Sequence, residues 1–341
     1  MRRLPHTRIS PSAMATKMDG GARRQIPIVC PGHSRPLTEV QYCPHPTPNP
    51  VPGDADASHY LLISGCHDKL PMLRCGKSGN WIGTFEGHKG AVWSAKLNND
   101  GTRAITGSGD FSAKLWDAVT GDNLRTFDHK HIVKSVEFIQ GGAWVATGGQ
   151  EKLLRVFDLA ATTNDPLYTM TCDEGIRKIV EIPGQAAVTV ATGDTAGNVV
   201  VWNVETQTRI ATFAVDKVGG VMDMEASRGG RVLTVAAGSH VSFFDTTSWT
   251  LLFDVAMPIT FNAEGGASLH PTLDRFVAGG SDTWVRVFAW EAGKGHELEC
   301  HKGHHGPVRC LRYAPNGESF ATGSEDGTIR IWQTTSAVRL E

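Results

Sequence analysis

The sequence predicts an all-β fold, a seven-bladed β-propeller closed by an N-terminal strand. Three observations carry this. One pattern recurs seven times, with anchor positions Arg74, Trp116, Phe157, Trp202, Phe244, Phe288 and Trp332, spaced 42, 41, 45, 42, 44 and 44 residues apart. Two copies share an internal ruler: 22 residues separate His88 from Asp110 and His304 from Asp326, and 6 more lead to Trp116 and Trp332. Between these marks run short alternating stretches such as Thr328–Trp332, the period of a half-buried strand. A unit of this size cannot bury both faces alone, so the copies must pack into one closed ring.

Each copy has the same internal order. A Gly-His loop (Gly87-His88, Gly303-His304) precedes an apolar strand such as Ala91–Leu97. A second strand such as Arg103–Thr106 leads into a tight Gly-Ser-x-Asp turn, then a third strand ends in Trp or Trp-Asp. An outer strand such as Asn123–Phe127 completes the unit. Repeats of this length with Gly-His and Trp-Asp marks are the signature of a WD40 β-propeller. The 38 glycines serve turns that need positive φ and close packing.

The chain ends explain each other. The last repeat stops nine residues after Trp332 without a convincing outer strand, and Gln25–Cys30 forms a lone strand before the first Gly-His at Gly32-His33. That strand is expected to complete the last blade and remove an open edge. The expected boundaries are a disordered basic tail at 1–25, a propeller at 26–335 and a short C-terminal tail at 336–341. A start at Met14 or Met18 would remove most of the basic tail, which resembles a transit peptide only weakly. In the first copy His33 and Asp68 are 35 residues apart, and the excess holds five alternating prolines from Pro44 to Pro52. Residues 44–58 therefore read as an extended loop inserted in blade one, since proline cannot sit in a central strand.

Composition narrows the function. The net charge of -2 gives no global bias toward nucleic acid. The seven cysteines are odd in number and scattered, which reads as reduced thiols in a cytoplasmic or nuclear protein. No apolar run approaches the roughly 18 residues of a membrane span. There is no Walker loop, no HExxH and no zinc-finger spacing, so neither cofactor nor metal is expected; Cys43, His45, His59, Cys66, His67 and Cys75 read as core thiols and surface imidazoles.

The hydroxyl, His and acid of each repeat could be mistaken for a catalytic triad. An enzyme needs one such site, whereas here it repeats. His88, Thr106, Asp110 and Trp116 form one expected structural relay, and His304, Thr322, Asp326 and Trp332 another. In each, Asp binds His, His binds the hydroxyl, and the hydroxyl takes the indole N–H. Partial relays are expected at His33, Ser64 and Asp68 in blade one, and at His129 and Thr147 in blade three, where Phe157 replaces Trp. Blades four, five and six lack members of the set and are expected to rely on apolar packing.

Partner binding is expected at the rim built by loops before the inner strands. Five residues past the blade His lie Thr38, Trp93, Lys134 and Arg309, and alignment on Ile176 adds Arg177. Three cations and a surface indole there suit an acidic peptide or an RNA backbone.

Three stretches go beyond a generic WD40 repeat: Trp81-Ile-Gly-Thr-Phe-Glu-Gly-His-Lys-Gly-Ala-Val-Trp93, Asp128–Lys134 and Thr147–Arg155. With Ala267–Pro271 and Gly303–Pro307 they resemble the serine-threonine kinase receptor-associated (unr-interacting) protein family, over about residues 26–333 and most weakly from 160 to 265. The resemblance implies a non-enzymatic scaffold, a monomer within the survival-of-motor-neuron complex, which loads Sm proteins onto spliceosomal RNA. It implies protein partners, RNA contacted indirectly, no membrane and no small-molecule substrate, in cytoplasm and nucleus. A receptor-signalling adaptor role is a further implication, weakened by the inserted proline loop and by the lack of the acidic C-terminal extension of animal members. The alternative is the propeller subunit of translation initiation factor three, which shares the stretch Gly83–Trp93. A remote alternative is an enzyme using the central channel.

Overall fold

Short strands and tight turns alternate throughout the computed structural model, which describes residues 25–47, 59–215, 219–259, 265–272, 274–291 and 295–334. They form seven four-stranded antiparallel sheets, the blades of one propeller. Blade one, for example, comprises Leu37–Tyr42, Leu61–Cys66, Met72–Cys75 and Trp81–Thr84. The first strand of each blade touches the first strands of its neighbours, so these seven strands wall the central channel. Among the described residues no helix is long and apolar enough to cross a membrane.

Packing between blades, not within them, builds the core. Leu61, Ile63 and Leu73 of blade one share a cluster with Ala95, Leu97 and Trp116 of blade two. Phe243 of blade five meets Phe276 of blade six, ring centroids 5.1 Å apart. Each fully buried Leu, Ile or Phe in these layers contributes ~1.5–3 kcal/mol, so separating two blades is costly. The Thr-Gly pair of the second strands has a steric cause. A Cβ on Gly107 would sit 2.9 Å from Val133 of the next blade, and one on Gly193 would sit 2.5 Å from Val221. Glycine lets the next inner strand close in.

The seam joins the chain ends as the sequence predicted. Ile28–Cys30 forms the outer strand of blade seven, with Ile28 opposite Ile331, Val29 opposite Arg330 and Cys30 opposite Ile329. Gln25 adds a side-chain bond to the Gln333 carbonyl at 2.8 Å. Arg74, which stands where other blades have Trp or Phe, donates to the carbonyls of Pro31 (2.5 Å) and Gly79 (3.2 Å). It ties blade one to the closing segment.

The proline excursion leaves the sheet later than its first proline. Thr47 and His59 pair through two backbone bonds of 2.9 and 3.3 Å, and both residues are buried. His59 is therefore no surface imidazole; it packs in the neck of the loop. Residues 48–58 of the expected loop, 1–24 of the expected basic tail, and 335–341 with the expected C-terminal tail lie outside the described residues.

Candidate functional site

The His-centred sets are buried and mutually satisfied in blades two and seven. In blade two, His88 Nδ1 lies 2.8 Å from Asp110 and Nε2 lies 2.7 Å from Thr106 Oγ1, which also accepts the Trp116 indole N–H at 2.8 Å. Blade seven repeats this with His304–Asp326 at 3.1 Å, His304–Thr322 at 2.8 Å and Trp332–Thr322 at 3.0 Å. Burial would raise the Asp326 carboxyl, but the His305 amide and Thr328 donate to it and hold it at about 2. In blade one, His33 bridges Asp68 and Ser64 at 2.8 Å each. Thr106 and Thr322 are wholly buried and already shared by ring and indole. Neither hydroxyl can meet a substrate.

Blade three departs from the expected relay. Arg155 takes over: it donates to His129 Nδ1 at 2.8 Å and pairs with Glu151. His129 Nε2 and Thr147 Oγ1 are left without partners. The cause is Phe157, which offers no indole N–H, combined with an arginine close enough to capture the acid. Blade four departs the other way, because it is not held by apolar packing alone. Trp202 donates to Thr192 at 3.0 Å, and Asp194 caps the turn by accepting from Ala196 and Asn198. The signal was present as a Thr and a Trp ten residues apart. In blade six Arg286 pairs with Asp282 at 2.5 Å and with Glu297 at 3.2 Å, an ion pair in place of the relay.

The rim residues share a backbone cause that the sequence did not reveal. In six blades the inner strand carries a register shift against its partner, at Thr38, Trp93, Lys134, Arg177, Met222 and Arg309. A bulge inserts one extra residue and re-aims its side chain. All six bulges lie at the N-terminal ends of the inner strands, around one mouth of the channel. Met222 was missed because blade five has no His to count from; aligning Val221 with Ile176 would have found it, as it found Arg177.

Their environments differ from expectation. Trp93 is not a freely exposed anchor. It is half-buried, with the His67 ring edge-on at a centroid distance of 4.6 Å and the Lys134 amine 2.8 Å from its ring centroid. Thr38 donates to the Val92 carbonyl at 2.7 Å and faces the next blade. Arg309 pairs with Glu325, its Nε at 2.9 Å. Lys134 and Arg177 have no carboxylate partner among the described residues; the Arg177 guanidinium rests 2.9 Å from Met222 Sδ.

Below the rim, a network of charges fills the channel wall. Glu39 accepts from Ser94 (2.5 Å) and the Ala95 amide (3.0 Å) and pairs with Lys178 (3.2 Å) and Lys96 (3.3 Å). Arg312 grips Asp223 with both terminal nitrogens, at 2.5 and 2.7 Å. Burial pulls Glu39 upward, but Lys178, Lys96, Ser94 and Arg312 overcome it and bring it to about 2. At the opposite mouth a cavity of about 560 Å³ is lined by Glu137, Glu181 and Glu225 among others. Burial pushes Glu137 up to about 7; Lys96 opposes this, while Glu39 and Glu181 add to it. Burial also raises Glu181 and Glu225. The channel is thus polarised among the described residues: Lys134 and Arg177 stand without a carboxylate at the bulged mouth, while at the other Glu137 and Glu225 meet Lys96 at 3.4 Å and Arg312 at 3.9 Å.

Among the described residues one set of metal-ligating types converges: His33, Cys66 and Asp68. It is the blade-one relay, with both His33 nitrogens engaged. Burial pushes the Cys66 thiol up to about 12, so it stays protonated and is a poor metal ligand. All seven cysteines are free thiols, and only Cys300 is exposed.

Comparison with known proteins agrees with this architecture. Residues 79–117, 121–158 and 295–333 match the WD domain, G-beta repeat family. The chain is 41% identical to serine-threonine kinase receptor-associated protein of Gallus gallus over 314 residues, covering 92% of this chain and 84% of that protein. The chain belongs to the serine-threonine kinase receptor-associated protein family. The Dictyostelium discoideum member is 39% identical over 307 residues, 90% of this chain and 98% of that protein. Eukaryotic translation initiation factor 3 subunit I of Drosophila grimshawi is more distant, 28% identical over 329 residues, 89% of this chain and 95% of that protein. The chain is therefore a WD40 scaffold of the serine-threonine kinase receptor-associated protein family, with a distant link to the initiation factor subunit.

Proposed function

We propose that the chain is a non-enzymatic docking scaffold in RNA–protein assembly, of the survival-of-motor-neuron type that supports spliceosomal particle assembly in cytoplasm and nucleus. Its protein partners dock on the bulged rim, and RNA is reached through them. The observation that carries this is the ring of six bulges, which places Trp93, Lys134, Arg177 and Arg309 around one mouth. An indole flanked by cations suits an anchor with charge steering. Two features weigh against chemistry. The Ser/Thr-His-Asp sets are buried relays, and the channel wall is consumed by its own ion pairs. Family membership also admits a receptor-associated role, as that family's name states.

Affinity purification of the tagged protein from its own cells tests this. Sm and survival-of-motor-neuron proteins should co-purify, and Trp93→Ala should lose them while keeping its melting temperature. Recovery of initiation factor three subunits instead would favour the distant relative's role. Retention of every partner by a folded Trp93→Ala would move the docking face elsewhere on the propeller.

A further inference from the structure

We propose that Lys134 and Arg177 together form a carboxylate-binding site, taking an acidic side chain of a docked peptide segment. The proposal rests on the docking rim described above and names the chemistry of its ligand. Lys134 and Arg177 stand on successive bulges, in blades three and four. Both are half-buried, and neither has an anionic partner among the described residues. Among the described residues the other cations of the channel wall are engaged: Lys96 and Lys178 by Glu39, Arg312 by Asp223, and Arg309 at the rim by Glu325. Leaving two charges partly desolvated and unpaired is unfavourable, and an incoming carboxylate removes that penalty. A nucleic-acid backbone is a poorer fit. It would need cations repeated along a track, and here two stand together with Glu325 on the same rim.

The site couples binding to a proton. Burial pushes Lys134 down to about 7, with Arg177, Lys178 and Arg309 adding to the shift. The groups facing it are those three cations, the Trp93 ring, and His67, which itself stands near Arg35, Arg309 and Glu325. No carboxylate opposes the shift at Lys134. Burial and the neighbouring cations thus favour loss of the Lys134 proton in the free protein, while the indole face beneath the amine partly opposes it. A bound carboxylate favours the ammonium form, so binding takes up a proton and weakens as pH rises. His67 is held below its ordinary value, chiefly by burial, so it does not titrate in the same window.

The probe is a blocked Glu-Gly-Glu-Gly-Glu peptide, titrated into the full chain while the Trp93 indole and Lys134 side-chain resonances are followed. A saturable shift is expected, absent with the Gln-for-Glu peptide, and weakened about tenfold or more by Lys134→Met or Arg177→Met. Arg103→Met, an exposed cation elsewhere, should change nothing. Affinity should fall between about pH 7 and 9 in the wild type. In Lys134→Arg, which stays charged, binding should persist and that fall should vanish. The proposal is overturned by no saturable shift, or by a shift that survives both methionine variants. A single-stranded oligouridylate that binds more tightly with the same residue dependence would assign the Lys134–Arg177 pair to a phosphate backbone and also overturn it. If Trp93→Ala loses its cellular partners while the peptide gives no shift, the docking rim stands and only the carboxylate site falls.

Discussion

Arg312 of blade seven holds Asp223 of blade five through two hydrogen bonds of 2.5 and 2.7 Å, reaching past the intervening blade six. Both side chains are buried, and Lys178 of blade four joins Asp223 at 3.6 Å. The three residues together pin blades four, five and seven at the channel wall. Asp223→Ala would take the bidentate carboxylate from a buried guanidinium, leaving it the Leu311 and Met224 carbonyls and the more distant Glu225, and should cost ~3–5 kcal/mol. Asp173→Ala, which breaks the exposed pair with Arg209, should cost less than ~1 kcal/mol. Urea unfolding of both variants checks this; equal midpoints would mean that the channel pair does not hold the ring.

The seam predicts a sharp boundary for truncation. Deleting residues 1–23 leaves Gln25 and the strand Ile28–Cys30 in place. Deleting 1–31 removes Ile28–Cys30, opens the edge at Ile329–Gln333 and strips Arg74 of its Pro31 acceptor. The longer deletion should lower Tm by at least a few degrees, and the shorter should leave it unchanged. Thermal melts of both chains decide, and identical curves would count against closure by this strand.

Two threonines at equivalent positions should behave oppositely. Thr106 serves His88 and Trp116 together, so Thr106→Val should destabilise blade two by ~1–3 kcal/mol. Thr147 Oγ1 is buried without a partner, so Thr147→Val should be neutral or stabilising. Chemical denaturation compares them directly. A large loss at Thr147 would mean that the hydroxyl is satisfied after all.

The channel carboxylates give stability two opposed pH dependences. Glu39 titrates at about 2 in the folded protein, against an ordinary 4.5, so its contribution is present above 4.5 and is lost as pH falls toward 2. Glu137 titrates at about 7, so the contribution of its protonated form is complete below 4.5 and is lost as pH rises through 7. Glu137→Gln should therefore flatten the decline in unfolding free energy between about pH 4.5 and 7 while leaving the acid limb intact. Urea titrations across that range measure it, and an unchanged slope would place the proton on another group.

By itself, the sequence determined the blade count, the strand that closes the ring, and the relays of blades two and seven. The blade count and the relays are local facts, and the closing strand is legible because the repeat leaves one strand over at the start and one missing at the end. A relay's members lie within one repeat, His88 only 18 residues from Thr106 and 22 from Asp110, so a periodic pattern exposes them. The tertiary structure decided what depends on neighbours distant in the chain. Glu39 meets Lys178 across 139 residues and Asp223 meets Arg312 across 89, and no period of forty-odd residues encodes which charges will face each other across a channel. Blade three shows the same limit within one repeat. The pattern placed Thr147 and His129, but the reach of Arg155 settled which of them found partners. The rim was half-legible for a similar reason. Counting from His located Thr38, Trp93, Lys134 and Arg309, yet only the bulged register explains why those side chains leave the strand. Only packing turned Trp93 from a surface indole into the floor beneath an unpaired lysine.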